Sequence, residues 1–125
     1  MTRVLIVGNG RMGTIIRELV EADESCELAG IVGIETMGTL AEEAPEADVV
    51  IDFSHKDMLP HVEAYVQRTN AALVSGTTGY DEDEMARVRA LGGHAPVIHS
   101  ANYSLGVAVL RRLAAEAAEA LDGFD

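Results

Sequence analysis

Three glycine-containing stretches, each placed directly after a short apolar run, constrain this chain more than any other feature. They are Gly8-Asn9-Gly10-Arg11-Met12-Gly13, Gly76-Thr77-Thr78-Gly79 and Ser100-Ala101-Asn102-Tyr103-Ser104-Leu105-Gly106-Val107. The runs before them are rich in Val and Ile and read as strands buried on both faces. A helix signal follows each one. Three such loops in register lie on one edge of one sheet, the edge where open α/β folds bind their ligands.

The rest of the chain keeps the same alternation. Strands are expected at residues 3–7, 28–32, 49–53, 72–75 and 96–99. A helix is expected at residues 11–22, with Ile15, Ile16, Leu19 and Val20 on its apolar side. A short helix at residues 39–43 would stop near Pro45. Ser54 is placed to cap a further helix that runs to about residue 68, with Pro60 in its first turn. Asp81 and Glu84 form a D-x-x-E capping pattern for a helix that ends before Gly92-Gly93. Ser104 is placed to cap a long helix to Leu121, with Gly123 as its stop signal. Val107, Leu110, Leu113, Ala114, Ala117 and Leu121 form an apolar stripe on that helix and read as core. The expected fold class is α/β: a doubly wound, mostly parallel sheet of the Rossmann-like kind, with residues 1–125 as one dinucleotide-binding domain.

Composition narrows the partners. The formal net charge is −12 and Lys56 is the only lysine, so no basic patch exists to neutralise nucleic-acid phosphates. Aromatic residues make up 4%, too few for base-stacking platforms. No apolar run is long enough to cross a membrane, and no signal-peptide pattern precedes the first strand. The single cysteine, Cys26, fits a reducing, cytoplasmic setting. His55, His61, His94 and His99 lack metal-ligand spacing, so no metal is expected. Asp52, at a strand end, reads as a carboxylate that organises the neighbouring loop rather than as a catalytic acid.

Gly8, Gly10 and Gly13 match G-x-G-x-x-G between a strand and a helix. The first permits the tight turn, the second lets the backbone approach a pyrophosphate, and the third lets helix and strand pack closely. The unpaired amides at the helix N-terminus then face the anion. An acid that binds the adenosine ribose is expected at the end of the second strand. Gly33 stands there instead, and Glu35 follows two residues later. No Lys or Arg lies between Arg17 and Lys56, although Arg11 is placed to reach a 2′-phosphate from the glycine loop. The residues leave NADH and NADPH both open.

Gly10-Arg11-Met12-Gly13, Asp52-Phe53-Ser54, Gly76-Thr77-Thr78-Gly79 and the segment from Ala101 to Val107 occur in this order along the whole chain. Together they resemble the N-terminal part of the 4-hydroxy-tetrahydrodipicolinate reductase (dihydrodipicolinate reductase) family of lysine and diaminopimelate biosynthesis. The resemblance implies an NADH- or NADPH-dependent oxidoreductase acting on a small dicarboxylate. It implies that Gly8, Asn9, Gly10, Arg11, Met12 and Gly13 hold the pyrophosphate, with Glu35 and Phe53 also at the cofactor. Gly76, Thr77 and Thr78 would border the nicotinamide ribose and carboxamide, with Thr78 also facing substrate. Ser100, Ala101, Asn102 and Tyr103 would meet the nicotinamide end.

The chain departs from the family at three places. Its glycine loop is one residue shorter than in many members, and Gly33 replaces the ribose acid. The His-His-x-x-Lys and Ser-Gly-Thr patterns of the family's second, substrate-binding and tetramer-forming domain do not occur. The chain is therefore expected to be an N-terminal fragment, inactive and monomeric alone, without catalytic residues of its own. Two other classes compete with this reading: a non-enzymatic NAD(H)-sensing Rossmann module, and another amino-acid-pathway dehydrogenase.

Overall fold

Residues 4–7 and 49–51 are apolar on both sides of the pleat, so neither face of the sheet they form can be left to water. The computed structural model describes residues 1–101 and 105–123, with backbone alone for residues 105–111. Five strands form one parallel sheet: β1 (Thr2–Val7), β2 (Cys26–Val32), β3 (Val49–Asp52), β4 (Ala72–Ser75) and β5 (Val97–His99). Their order across the sheet is β2-β1-β3-β4-β5. The chain therefore moves one way from β1 and then returns past it, which creates a switch point between β1 and β3.

Right-handed connections place the helices on opposite faces when the direction of travel reverses. Helix α1 (Arg11–Ala22) packs against Val4, Ile6, Val49 and Ile51 through Ile16 and Val20. The other face buries Leu5, Val7, Val50 and Leu73 under α2 (Leu59–Thr69), which contributes Val62, Tyr65 and Val66. Helix α3 (Glu82–Ala90) opens with the expected Asp81–Glu84 capping box. Tyr65 is wholly buried, and its hydroxyl donates to the Pro45 carbonyl at 2.5 Å.

Three local expectations are corrected. The short helix is a 3-10 segment at Ile34–Leu40, earlier than expected, because the Gly33 amide donates to Thr36 Oγ1 and the Thr36 amide donates back to Gly33 O. Ser54 does not cap the third crossover. His55 does, accepting from the Asp57 amide at the start of a 3-10 turn (Lys56–Met58) that leads into α2. The stripe on α4 (Leu105–Ala120) is not core where its side chains are described. Leu113 is 56% exposed and Leu121 59%, while the side chains of Val107 and Leu110 lie outside the described residues. Gly123 has the left-handed φ of +84° that ends a helix.

Candidate functional site

The loop after β1 is built from glycines with different duties. Gly8 sits at φ +112°, and a Cβ there would lie 2.5 Å from Phe53 O. Its amide donates to Val32 O at 2.7 Å, so the loop is tied to the ends of both β2 and β3. A Cβ on Gly13 would lie 1.9 Å from Gly8 O, which is how close α1 comes to the strand end. Gly10 differs. A Cβ there would meet nothing within 4 Å, so the protein itself does not require glycine at this position. No side chain caps α1 and no acid occupies its first turn. The first amides of the helix are left for an anion.

The loop that leads into α1 borders a cleft of about 250 Å³ at the switch point. Gly8, Asn9 and Gly10 form one wall, and Ile34, Phe53, Ser54, His55 and Met58 form the rest. An anion-accepting helix end beside a partly apolar cleft fits the pyrophosphate and adenosine of a dinucleotide. Asn9 lies against the β2 end: a Cβ on Gly33 would fall 2.4 Å from Asn9 Nδ2 and 2.8 Å from Oδ1.

The ends of β3, β4 and β5 carry a polar cluster beside the Phe53 ring. That ring lies so close over Gly76 that a Cβ there would be 2.2 Å from a ring carbon. Asp52 is buried at the β3 end, and its Oδ1 accepts from the Ser54 hydroxyl. Its Oδ2 is buried without a hydrogen-bond donor among the described residues. Burial pushes the Asp52 carboxyl above the usual range, opposed by the Ser54 and Thr77 hydroxyls and the Ser54 amide. Thr77 is buried as well, and its Oγ1 accepts from the Ser54 amide at 3.2 Å. Asp52 and Thr77 thus join the loops after β3 and β4, the organising role expected of Asp52. One strand further, Ser75 Oγ and His99 Nδ1 share a hydrogen bond of 2.9 Å. Burial holds the His99 pKa low, which favours the neutral ring. The Tyr80 ring lies 5.5 Å from that of His99, and burial, then the nearby Asp52 charge, push its hydroxyl pKa up.

Because the Asp52 pKa is raised on folding, the folded chain binds the extra proton. Its contribution is most favourable below 3.8 and is lost as pH rises through the higher folded-state value. Asp52→Asn keeps an acceptor for Ser54 and removes the buried charge. Its melting temperature at pH 7 is expected to equal or exceed the parent's, with a flatter fall between pH 4 and pH 7. Thermal melts across that range check this, and a lower melting temperature at pH 7 would show that the charge itself holds the loops.

The sequence-derived residues fall into distinct groups. Gly8, Asn9, Gly10 and Phe53 meet at the cleft. Arg11 and Met12 open α1 beside it, and Gly13 is buried under the loop. Gly76 and Thr77 meet Phe53 and Ser54 one strand along, while Thr78 is exposed. The Ser100 amide donates to Ser75 O at 3.0 Å, and Ala101 is exposed at the same edge. Glu35 is exposed on the 3-10 segment and does not line the cleft. Asn102, Tyr103 and the Ser104 cap lie outside the described residues. Ser75, Tyr80, Ile34 and Met58 were not singled out by spacing. The one available signal was Ser75, a polar residue closing an otherwise apolar strand.

Comparison with known proteins bears on what this edge is for. A family profile described as "Dihydrodipicolinate reductase, N-terminus" matches residues 2–103. A 4-hydroxy-tetrahydrodipicolinate reductase of Caldanaerobacter subterraneus subsp. tengcongensis is 36% identical over 100% of this chain and 53% of its own length. One from Gluconacetobacter diazotrophicus is 38% identical over 95% of this chain and 49% of its own length. The chain spans about half the length of the curated relatives it matches. A solved structure, dipicolinate-bound dihydrodipicolinate reductase from Paenisporosarcina sp. TG-14, shares the fold with a TM-score of 0.70 at 21% identity, over 94% of this chain and 54% of that one. The match over residues 2–103 therefore places this chain in the dihydrodipicolinate reductase family, as its N-terminal part.

Proposed function

We propose that this chain is the nicotinamide-dinucleotide-binding part of a reductase that converts 4-hydroxy-tetrahydrodipicolinate to tetrahydrodipicolinate in lysine and diaminopimelate synthesis. The observation that carries the reading is the open space over Gly10, at an uncapped helix end beside the switch-point cleft. The chain's own fold leaves that position open, and a pyrophosphate approaching the helix end would fill it.

In this reading the Gly8–Gly13 loop and the first amides of α1 hold the pyrophosphate, with Arg11 as the nearest cation in sequence. Phe53, Gly76 and Ser100–Ala101 shape the nicotinamide end, together with Asn102 and Tyr103. The buried Thr77 hydroxyl fixes the loop, and the exposed Thr78 faces the substrate. A bound reduced nicotinamide supplies the hydride, while the protein fixes which ring face meets the substrate. The dicarboxylate clamp and the proton donor come from the length of the reductase that this chain does not span.

Calorimetric titration with NADH and with NADPH at one salt concentration tests this. Both are expected to bind, with NADH at least as tight, because no Lys or Arg stands near Gly33 and Glu35 to pair with a 2′-phosphate. A preference for NADPH of about a hundredfold would mean that a cation such as Arg11 dominates, since one charged, hydrogen-bonded contact can be worth that much. Absence of binding by both nucleotides would overturn the reading.

A further inference from the structure

The end of β2 is where an α/β nucleotide site usually presents an acid to the adenosine ribose. In this chain that position is sealed. Gly33 is buried, its amide donates to Thr36 Oγ1 at 3.1 Å, and its Cα face is covered by Asn9. A side chain at residue 33 and the carboxamide of Asn9 cannot occupy this volume together, since Nδ2, Cγ and Oδ1 all lie within 2.8 Å of a residue-33 Cβ. Asn9 reaches the place from the glycine loop, is itself exposed, and lines the cleft. Its carboxamide makes no hydrogen bond among the described residues, so donor and acceptor are both free for a ligand. Glu35, the nearest carboxylate in sequence, does not line the cleft.

We propose that Asn9 takes over the ribose-selecting role and sets the balance between NADH and NADPH. This rests on the dinucleotide reading above. A carboxamide accepts from a 2′-hydroxyl through Oδ1 and donates to a 2′-phosphate through Nδ2, so it admits either. A carboxylate at the same place keeps the first interaction and repels the second. The lack of an acid at residue 33 is thus a relocation of the selecting group, with its charge removed.

Asn9→Asp is expected to move the ratio of NADPH to NADH dissociation constants by about tenfold toward NADH, from Coulomb repulsion between the carboxylate and a 2′-phosphate at a few ångströms. Glu35→Gln is expected to leave the ratio unchanged. Gly33→Ala pushes the Asn9 carboxamide aside and is expected to weaken both nucleotides about fivefold, the worth of one hydrogen bond. Titrations of the whole chain and its three variants, with melts to verify folding, decide the matter. A ratio unmoved by Asn9→Asp, a larger shift in Glu35→Gln, or parent-like binding by Gly33→Ala would each overturn the role of Asn9 while leaving the dinucleotide reading intact. Failure of the parent to bind either nucleotide would overturn both.

Discussion

Gly10→Val is expected to lose NADH affinity by about a hundredfold while the fold survives, whereas Gly13→Ala is expected to act through the fold itself. Gly10 lies at φ −82°, ψ −155°, a conformation open to valine, and no protein atom stands within 4 Å of its Cβ site. Its stability cost is limited to a poorer helix cap, about 1 kcal/mol or less. The added carbons instead fill the space through which a pyrophosphate must approach, and overpacking of about 3 kcal/mol there corresponds to the stated loss. At Gly13 the obstruction is the Gly8 carbonyl at 1.9 Å. That oxygen belongs to backbone held at both ends of the loop and cannot swing away. Separating α1 from β1 is expected to cost about 3 kcal/mol, roughly 10 °C in melting temperature for a domain of this size. Calorimetric titration and thermal melts on the two variants check both halves. Equal NADH affinity for Gly10→Val and parent would mean that the ligand passes elsewhere.

The second large effect concerns turnover. This chain alone is expected to oxidise NADH with 4-hydroxy-tetrahydrodipicolinate at least about ten-thousandfold more slowly than a full-length relative, the combined loss of substrate positioning and proton donation. Thr78 offers one hydroxyl, which neither clamps a dicarboxylate nor supplies a proton near neutral pH. His99 is engaged by Ser75, and its lowered pKa leaves little of the protonated form. Steady-state assays of this chain beside the Caldanaerobacter enzyme provide the comparison. Turnover on the same scale would place the catalytic groups among these residues and refute the proposed division of labour.

The architecture was legible because period and punctuation agree. Val4 to Val7 are apolar on both sides of the pleat, Gly8 breaks the strand, and residues 11–22 then repeat with helical spacing. The Asp81–Glu84 box was legible for the same reason, since its two bonds connect residues three apart. What stayed hidden depends on contacts between distant parts of the chain. The use of Ser54 was misjudged because a serine after a strand fits both a cap and a partner for a buried acid. Only the burial of Asp52 decides between them. Gly33 read as a missing acid because nothing local reveals that Asn9 lies over it. The described part of the α4 stripe was misread for a further reason: helical periodicity identifies an apolar side without saying what that side meets.

The ties between Gly8 and Val32, and between the Phe53 amide and Val7 O, have a consequence for how the cleft is made and lost. Its walls come from stretches that touch only because β1 lies between β2 and β3. The cleft exists when the central strands have found their register and vanishes when they part. A conservative change deep in β1 or β3, far from any ligand atom, is therefore also a change to the binding site.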